Sequence, residues 1–407
     1  MHHFLDGGDT APPAHPLVHK QFETLNGVQF FLILPDIYLY LRFIVHLTAK
    51  RWLRILYWLP AFLLSTGLLY LVYFSNNAFA ERHTQAIGWF SIFFFLFTAP
   101  KLLLSLCTII GVPFHKWLRW PRTPFICTGL TLAVISIAMI IYGSFIGRTQ
   151  FDVKEVTYSS PKLPSAFDGY RIVQLSDIHI GSWQGNTSAI QKLVKLVNEQ
   201  QADLIVFTGD LVNHRAVELN DFQDILSGLK AKDGVYSILG NHDYGPYFHW
   251  KSKDEQDDNL NDLLQRQAAM GWKLLNNSHT ILIQGSDSIA LIGVENEGEP
   301  PFSQYADLPE AMRGTEGMFQ ILLSHNPTHW RREVLPQTDI DLMLAGQTHA
   351  MQLKFGNHSP SSYIYPEWSG MYLEGTRGLY VNEGIGYVGL PFRFGAWPEI
   401  TVLTLRR

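Results

Sequence analysis

The sequence has only two cysteines, Cys107 and Cys127, among 407 residues, and both lie in its apolar first part. A disulfide framework or a zinc site made of thiolates is therefore excluded for the remainder of the chain. Any metal bound there must be held by histidine, carboxylate or amide side chains.

Acidic residues are scarce in the first 150 residues, which contain 11 Lys and Arg against 5 Asp and Glu. Residues 151–407 have the opposite balance, with 20 basic against 31 acidic residues. The acidic second part argues against a nucleic-acid-binding surface, because such surfaces need an excess of positive charge. The length and this division predict two domains.

Charged residues are missing from the apolar stretch at residues 125–147 and, apart from Arg54 at its start, from the stretch at residues 53–74. Two further apolar stretches carry isolated charges and lie at residues 28–47 and 86–112. Each of the four is long enough to cross a hydrocarbon core at about 1.5 Å per residue. We therefore expect a transmembrane region of four helices over residues 28–147.

Basic residues are concentrated in two connections between these stretches, residues 48–54 and 113–124. The positive-inside rule places both connections in the cytoplasm. The last apolar stretch, residues 125–147, then crosses the membrane away from the cytoplasm. The second domain is therefore expected outside the cytoplasmic membrane. The N-terminal tail, residues 1–27, lacks the short apolar run of a cleavable signal peptide, so the helices are expected to remain in a multi-pass protein.

Three ionisable residues, Asp36, Arg42 and Lys101, lie within the apolar stretches. Such residues at membrane depth can mark a transport path. The alternatives are an interhelical ion pair or long side chains that extend to the membrane interface. Because the sequence lacks the repeated half-helix breaks of transporters, it favours these alternatives.

From about residue 155, β-rich runs alternate with stretches of helical periodicity, which lie at residues 187–200, 219–230 and 259–270. This alternation predicts βαβ units with a mostly parallel, buried sheet. Antiparallel additions are a hairpin at residues 279–294 and a final strand at 397–405. We assign a linker and first strand to residues 148–167 and an α/β domain, large enough for two stacked sheets with outer helices, to residues 168–407.

Polar residues directly follow five of the β-rich runs, which lie at residues 171–176, 204–208, 235–239, 319–324 and 341–345. In strand order they are Asp177 and His179; Asp210; Asn241, His242 and Asp243; His325; and Gln347 and His349. Ligands of open α/β sheets bind outside the carboxyl ends of the strands. These side chains are therefore predicted to meet in one pocket.

The residue types in this set indicate a site for two divalent metal ions. Two ions about 3.5–4 Å apart need a carboxylate that bridges them, and Asp210 is the candidate. Asp177 and His179 lie two residues apart after one strand, so both can bind one ion together with His349. The candidates for the second ion are Asn241 and His325.

Such a pair of ions orients a phosphate ester and lowers the pKa of bound water, so that water can attack phosphorus. The leaving oxygen then needs a proton. His242 is the candidate donor, with Asp243 as its orienting partner.

This set of motifs resembles the calcineurin-like metallophosphoesterase family over about residues 168–405. The resemblance implies a four-layer αββα sandwich whose dinuclear centre of Mn, Fe, Zn or Mg hydrolyses phosphate esters. It also implies that Asp177, His179, Asp210 and His349 bind the first metal and that Asp210, Asn241 and His325 bind the second, with His242 as the proton donor. The sequence at 349–352 and the closing residues from Asn382 to Glu399 are similar to bacterial membrane-associated or exported members.

One residue, Gln347, departs from the family pattern, in which the last motif usually reads Gly-His-x-His. The first histidine of that motif would bind the second metal. An amide oxygen can also bind a hard ion, so the second site is expected to be either weaker or vacant. We expect the protein to bind metal, with the second ion the more labile.

Two further features are candidates for substrate contacts. Arg393 could bind a phosphate oxygen, or form a structural salt bridge. The aromatic residues of 353–378 could cover the pocket and contact an organic group of the substrate, or simply pack the loop; they are Tyr363, Tyr365, Trp368 and Tyr372.

The sequence as a whole predicts a membrane-anchored, metal-dependent phosphoesterase that acts on a lipid-linked or other envelope phosphate ester. The alternative is a non-catalytic membrane protein that senses a metal or ligand and whose second site is eroded at Gln347. The presence of His242 favours the enzyme over this alternative, since a binding protein needs no proton donor.

Overall fold

The computed structural model describes residues 16–73, 83–300 and 302–407, with side chains from residue 27 onward. These residues form two compact units, divided between Ile140 and Ile141.

The described part of the first unit consists of long apolar helices. They are α1 Pro16–Leu39, which continues through a π turn at Tyr40–Ile44 to Leu47, α2 Arg51–Tyr73, α3 Thr84–Leu118 and α4 Thr123–Phe145. Among the described residues, four spans are long and apolar enough to cross a membrane, at residues 27–47, 51–73, 84–118 and 123–149. The four predicted membrane helices are confirmed.

The start of α1 differs from the sequence prediction, which placed residues 1–27 in a tail. The helix already begins at Pro16, while residues 1–15 lie outside the described residues. The candidate membrane span within the described part of α1 covers residues 27–47.

Two of the ionisable residues within the apolar helices form an ion pair. The Nζ atom of Lys101 in α3 lies 2.7 Å from Oδ1 of Asp36 in α1, and the Asp36 side chain is fully buried. The ammonium group also lies 5.7 Å and 5.8 Å from the ring centroids of Tyr57 and Phe97. The interhelical ion pair that the sequence favoured is therefore present at these two residues.

The second unit contains two six-stranded sheets. Five strands of the first sheet come early in the chain: β1 Asp152–Ser159, β2 Arg171–Leu175, β3 Leu204–Thr208, β4 Val235–Ile238 and β5 Trp272–Leu274. The second sheet contains β6 Ser278–Gln284, β7 Asp287–Gly293, β8 Phe319–Leu323, β9 Leu342–Ala345, β10 Gly370–Glu374 and β11 Arg377–Val381. The last strand, β12 Glu399–Arg406, completes the first sheet between β1 and β2.

Most strand pairs are parallel, as the alternation of strands and helices predicted. Strands β2 to β5 pair in parallel, as do β7, β8, β9 and β11. Antiparallel pairs occur at the predicted hairpin β6–β7, at β10–β11 and between β12 and β2. The inner strands β3, β8 and β9 are buried at every residue, because both faces of these sheets are covered.

Three apolar clusters define the layers of this unit. One lies between the sheets and joins residues such as Leu204 and Val206 to Ile321 and Leu344. A second packs helix α5 Thr187–Glu199 on the first sheet, and a third packs Trp330 and Val334 on the second sheet. The resulting order of helix, sheet, sheet and helix agrees with the predicted four-layer sandwich.

Further helices are α6 Gln223–Leu226, α7 Lys253–Ala269, α8 Leu308–Met312 and the short α9 Leu335–Gln337, which follows a π turn at Trp330–Val334. The helical stretch predicted at residues 219–230 is wrong, because only the four residues of α6 are α-helical there. Asn220 and Asp221 precede it and Ser227 and Gly228 follow it, and these residue types favour turns over helix interiors. The helices predicted at 187–200 and 259–270 are present as α5 and the C-terminal part of α7.

Candidate metal centre

Side chains that follow strands of both sheets meet in one buried pocket. Nε2 of His325, after β8, lies 3.3 Å from Oδ2 of Asp210, after β3. The same nitrogen lies 4.0 Å from Oδ1 of Asp177, which follows β2. Residues that are 33 to 148 positions apart in the chain thus have potential donor atoms within 4.8 Å of one another.

The first candidate metal position is formed by Asp177, His179 and His349, whose donor atoms all lie within 4.8 Å of one another. The two Nε2 atoms are 3.1 Å apart, and Nε2 of His349 is 3.2 Å from Oδ1 of Asp177. All three side chains are buried. Two imidazoles and a carboxylate facing one point fit a divalent cation.

Asp210 belongs to two further groups of potential ligands, one with Asp177 and His325 and one with His179 and His242. Its Oδ2 atom lies 3.6 Å from Nε2 of His179 and 3.3 Å from Nε2 of His325. A carboxylate between two sets of imidazoles has the geometry expected of the bridge.

Two amide oxygens of the residues assigned to the second candidate position are buried without a hydrogen-bond partner in the described part of the chain. They are Asn241 Oδ1 and Gln347 Oε1. Leaving a buried acceptor unsatisfied costs about 1–3 kcal/mol, so the two together call for a ligand. Oxygen and imidazole donors fit a cation such as Mn²⁺ or Mg²⁺.

The backbone at the metal centre is bent into an uncommon conformation. The ligand candidates with left-handed φ angles are Asp177 (52°), His179 (46°), Asp210 (60°), Gln347 (70°) and His349 (50°). Each costs about 1 kcal/mol or more for a non-glycine residue, and such strain is concentrated at functional sites. A side chain at Gly240 would overlap the Asp210 carboxylate, and one at Gly346 would overlap that of Asp177. The two glycines therefore let both carboxylates enter the pocket.

Charges within the pocket shift the protonation of its members. Burial opposes ionisation of Asp177, but the charges of His349 and His325 outweigh it and lower its pKa to about 2. Burial and the charge of His242 lower the pKa of His179 well below its usual value. Burial also lowers the pKa of His325, but the carboxylates of Asp210 and Asp177 outweigh it and raise the pKa to about 10. Asp177 and His179 are thus deprotonated at neutral pH, whereas His325 holds a proton that a cation must displace.

His242 lies beside the candidate bridge and its ring is fixed by a backbone carbonyl. Nδ1 donates to the Asn213 carbonyl oxygen at 2.8 Å, and the His242 backbone N–H donates to Asp210 Oδ1 at 2.8 Å. Because Nδ1 is engaged with an acceptor, Nε2 is the nitrogen free to exchange a proton. The His242 ring centroid lies 4.7 Å from that of His179.

The predicted role of Asp243 as orienting partner of His242 is wrong. Its carboxylate accepts four backbone N–H groups at 2.8–3.2 Å, from Asp210, Leu211, Val212 and Gly240. The tight turn at Asn241–Tyr244 directs neighbouring side chains apart, so adjacency in sequence did not bring Asp243 to the imidazole. Asp243 instead holds the loop that carries Asp210.

Arg393, which was predicted to contact substrate or to form a salt bridge, is instead bound by backbone carbonyl groups. The side chain is fully buried, and its guanidinium donates to the carbonyl oxygens of Glu383, Gly386 and Ala396. Its Nη2 atom also lies 3.1 Å from Nδ1 of His349. Arg393 therefore packs behind a candidate metal ligand rather than reaching into the pocket.

Two tyrosines border the amide ligands. The amide nitrogen of Asn241 lies 2.9 Å from the Tyr247 hydroxyl, and that of Gln347 lies 3.5 Å from the Tyr365 hydroxyl. Tyr365 belongs to the aromatic set predicted to cover the pocket, whereas Tyr363 from that set is 92% exposed. Tyr247 was not singled out in the sequence, because no motif distinguishes it from other loop aromatics.

Comparisons with known proteins identify the family of the chain. The family model for the calcineurin-like phosphoesterase matches residues 170–351, and that for the probable calcineurin-like phosphoesterase transmembrane domain matches residues 24–148. The uncharacterized metallophosphoesterase YkuE of Bacillus subtilis is 30% identical over 65% of this chain and 89% of its own length. The chain belongs to the calcineurin-like phosphoesterase family and is a membrane protein of that family.

Two other relatives show how far the likeness extends. The transmembrane protein with metallophosphoesterase domain of Danio rerio is 31% identical over 67% of this chain, but the match spans only 62% of its length. An uncharacterized metallophosphoesterase of Helicobacter pylori strain J99 is 27% identical over 88% of this chain and 92% of its own length. The bacterial match therefore includes both units.

Proposed function

We propose that the protein hydrolyses a phosphate ester with two divalent metal ions, while its four apolar helices anchor it in a membrane. The observation that carries this proposal is the gathering of two carboxylates and three imidazoles in one pocket, together with the buried, unpartnered amide oxygens of Asn241 and Gln347 among the described residues. The three imidazoles are those of His179, His325 and His349. No apolar or hydrogen-bonded core needs such a set of donors.

The residues of the pocket have distinct roles in this reaction. When bound, the metal ions supply a water of lowered pKa and positive charge for the phosphoryl oxygens. Asp177, His179 and His349 would hold the first ion, Asn241, His325 and Gln347 the second, and Asp210 both. Asp243 and Arg393 keep the ligands in place through the contacts described above.

His242 would supply the proton that the leaving group needs. The carbonyl of Asn213 can only accept, so Nδ1 keeps its proton throughout and Nε2 is the atom that gains and loses one. Water attacks phosphorus, the bond from phosphorus to the ester oxygen breaks, and Nε2–H protonates that oxygen as it leaves. The released water proton later restores His242.

The side of the membrane follows from the charges between the helices. Connections 48–54 and 113–124 each contain three basic residues, and we place both in the cytoplasm of the cell that bears the protein. The phosphoesterase unit then lies outside the cytoplasmic membrane. A reporter that is active only in the cytoplasm, fused after Arg407, should be silent; a strong signal would contradict this orientation.

The class of substrate that this architecture favours is a lipid-linked or other envelope phosphate ester. One helix would suffice as an anchor, whereas the described residues contain four apolar spans. A bundle of this size can also present a membrane-bound substrate to the second unit.

A second candidate function is a metal or ligand sensor without catalysis, and Gln347 is the observation that favours it. Gln347 occupies the position where the resemblance places a histidine ligand, and this exchange weakens the second metal position. The position of His242 next to Asp210 favours the enzyme, because a sensor has no use for a proton donor there.

The test uses the full-length protein in detergent, with bis(p-nitrophenyl) phosphate as the diester and p-nitrophenyl phosphate as the monoester. Hydrolysis is expected with Mn²⁺ and not after chelation. His242→Ala should lower kcat about 10²- to 10⁴-fold with unchanged metal content, while the exposed His249→Ala serves as the control. Equal rates for wild type and His242→Ala would remove His242 from the mechanism, and a metal-loaded protein without hydrolysis would favour the sensor.

A further inference from the structure

The two amide ligands of the second metal position share one arrangement. Each directs its nitrogen to a tyrosine hydroxyl, Asn241 to Tyr247 at 2.9 Å and Gln347 to Tyr365 at 3.5 Å. Each leaves its oxygen buried and without a hydrogen-bond partner among the described residues.

The orientation of a primary amide decides whether it can bind a cation. Rotation by 180° about the last side-chain bond exchanges the oxygen, which can bind a cation, for the NH₂ group, which can only donate hydrogen bonds. An acceptor that is fixed beside the nitrogen stabilises one of the two orientations. A tyrosine hydroxyl that accepts the amide N–H therefore keeps the oxygen on the opposite side.

We propose that Tyr247 and Tyr365 are positioning residues of the second metal site, which hold the oxygens of Asn241 and Gln347 toward a hard divalent cation. This inference rests on the proposed dinuclear function and deepens it. It explains how a glutamine can serve at a position that the family pattern gives to histidine. An imidazole whose ring plane is fixed needs no neighbouring hydroxyl to orient it. An amide needs such a partner, because a flipped amide presents its NH₂ group in place of its oxygen.

Simple packing does not account for these hydroxyl groups. Tyr247 is 48% exposed, so its side chain is not required to fill the apolar core. Its ring also lies 4.4 Å from the His242 ring, and a phenylalanine would keep that ring contact while it removes only the hydroxyl. Tyrosine-to-phenylalanine changes thus isolate the hydrogen bond.

The first experiment measures Mn²⁺ binding to the full-length protein by equilibrium dialysis. The binding curve is fitted with one Kd for the first ion and one for the second. Tyr247→Phe should raise the Kd of the second ion about tenfold, as is usual for partners of metal ligands, and Tyr365→Phe about threefold, because its contact is longer. The Kd of the first ion should not change. Tyr363→Phe is the matched control, since this tyrosine of the same loop is 92% exposed.

The second experiment repeats Tyr365→Phe in the Gln347→His background. A histidine ligand has no amide to orient, so Tyr365→Phe should then leave the second Kd unchanged. An equal effect of Tyr365→Phe in both backgrounds would show that the tyrosine acts through general structure and would overturn the inference.

The results for the two proposals can be told apart. If the wild type binds two Mn²⁺ ions and hydrolyses ester but all tyrosine variants match it, only the positioning role is overturned. If the wild type binds no second ion, the dinuclear function fails, and the positioning role fails with it.

Discussion

The two candidate metal positions of the pocket differ in their chemistry. The first position has a carboxylate and two imidazoles of its own, Asp177, His179 and His349. The second has one imidazole, His325, and the neutral amides of Asn241 and Gln347, and shares the Asp210 carboxylate. A cation therefore meets more negative charge and better donors at the first position. The difference predicts one tightly bound ion and one labile ion in the same pocket.

The residues that support the two positions differ as well. At the first, the buried guanidinium of Arg393 contacts Nδ1 of His349. At the second, exposed or half-buried tyrosine hydroxyls contact the amides. The two positions therefore differ in the groups that surround their candidate ligands as well as in the ligands themselves.

The largest effect is expected from Asp210→Asn, which removes the carboxylate that both positions share. The variant should lose hydrolysis about a thousandfold or more and lose bound metal at both positions, since a bridge supports both ions. Metal content by elemental analysis and turnover of the diester provide the measurement. The exposed Asp254→Asn is the control, and an Asp210→Asn protein that keeps two ions would refute the bridge.

A smaller effect, confined to the second position, is expected from Gln347→His. Imidazole binds Mn²⁺ or Zn²⁺ better than a neutral amide, so the second Kd should fall about ten- to hundredfold and approach the first. Titration with Mn²⁺ would measure both constants. A weaker second ion in this variant would mean that Gln347 does not bind the cation.

The smallest expected effect is a difference between the two positions in how their metal affinity depends on pH. His325 has a pKa raised to about 10, so below that pH its ring keeps a proton that the second ion must displace. The affinity for the second ion should therefore rise with pH between about 6.5 and 8.5, by up to tenfold per unit. Asp177, with a pKa of about 2, and His179, whose pKa is well below its usual value, need no such displacement at the first position. A second Kd that is independent of pH would contradict this protonation state.

Much of the centre could be predicted from the sequence because each ligand directly follows a β-run. Asp177, Asp210 and His325 illustrate this, since a strand and its first loop residues form one local pattern. The two sheets could also be predicted, because their inner strands are long enough to be recognised in the sequence as apolar runs. The short strand β5 Trp272–Leu274 gave no periodicity to recognise.

The supporting residues could not be predicted, because their partners lie far away in the chain. Asp243 binds the backbone of Asp210, 33 positions earlier, and Arg393 reaches His349 across 44 positions. A buried arginine in a loop carries no local sign of burial. Sequence patterns thus predict candidate ligands, whereas tertiary contacts determine which residues hold these side chains in place.

The central claim, that one pocket binds two cations of unequal affinity and that hydrolysis needs both, is tested most directly by a single titration. Metal-depleted full-length protein is titrated with Mn²⁺ while bound metal and diester hydrolysis are measured in the same samples. We expect hydrolysis to follow the second, weaker binding step, with little turnover after the first. Full turnover with one bound ion, or no metal bound at all, would contradict the account.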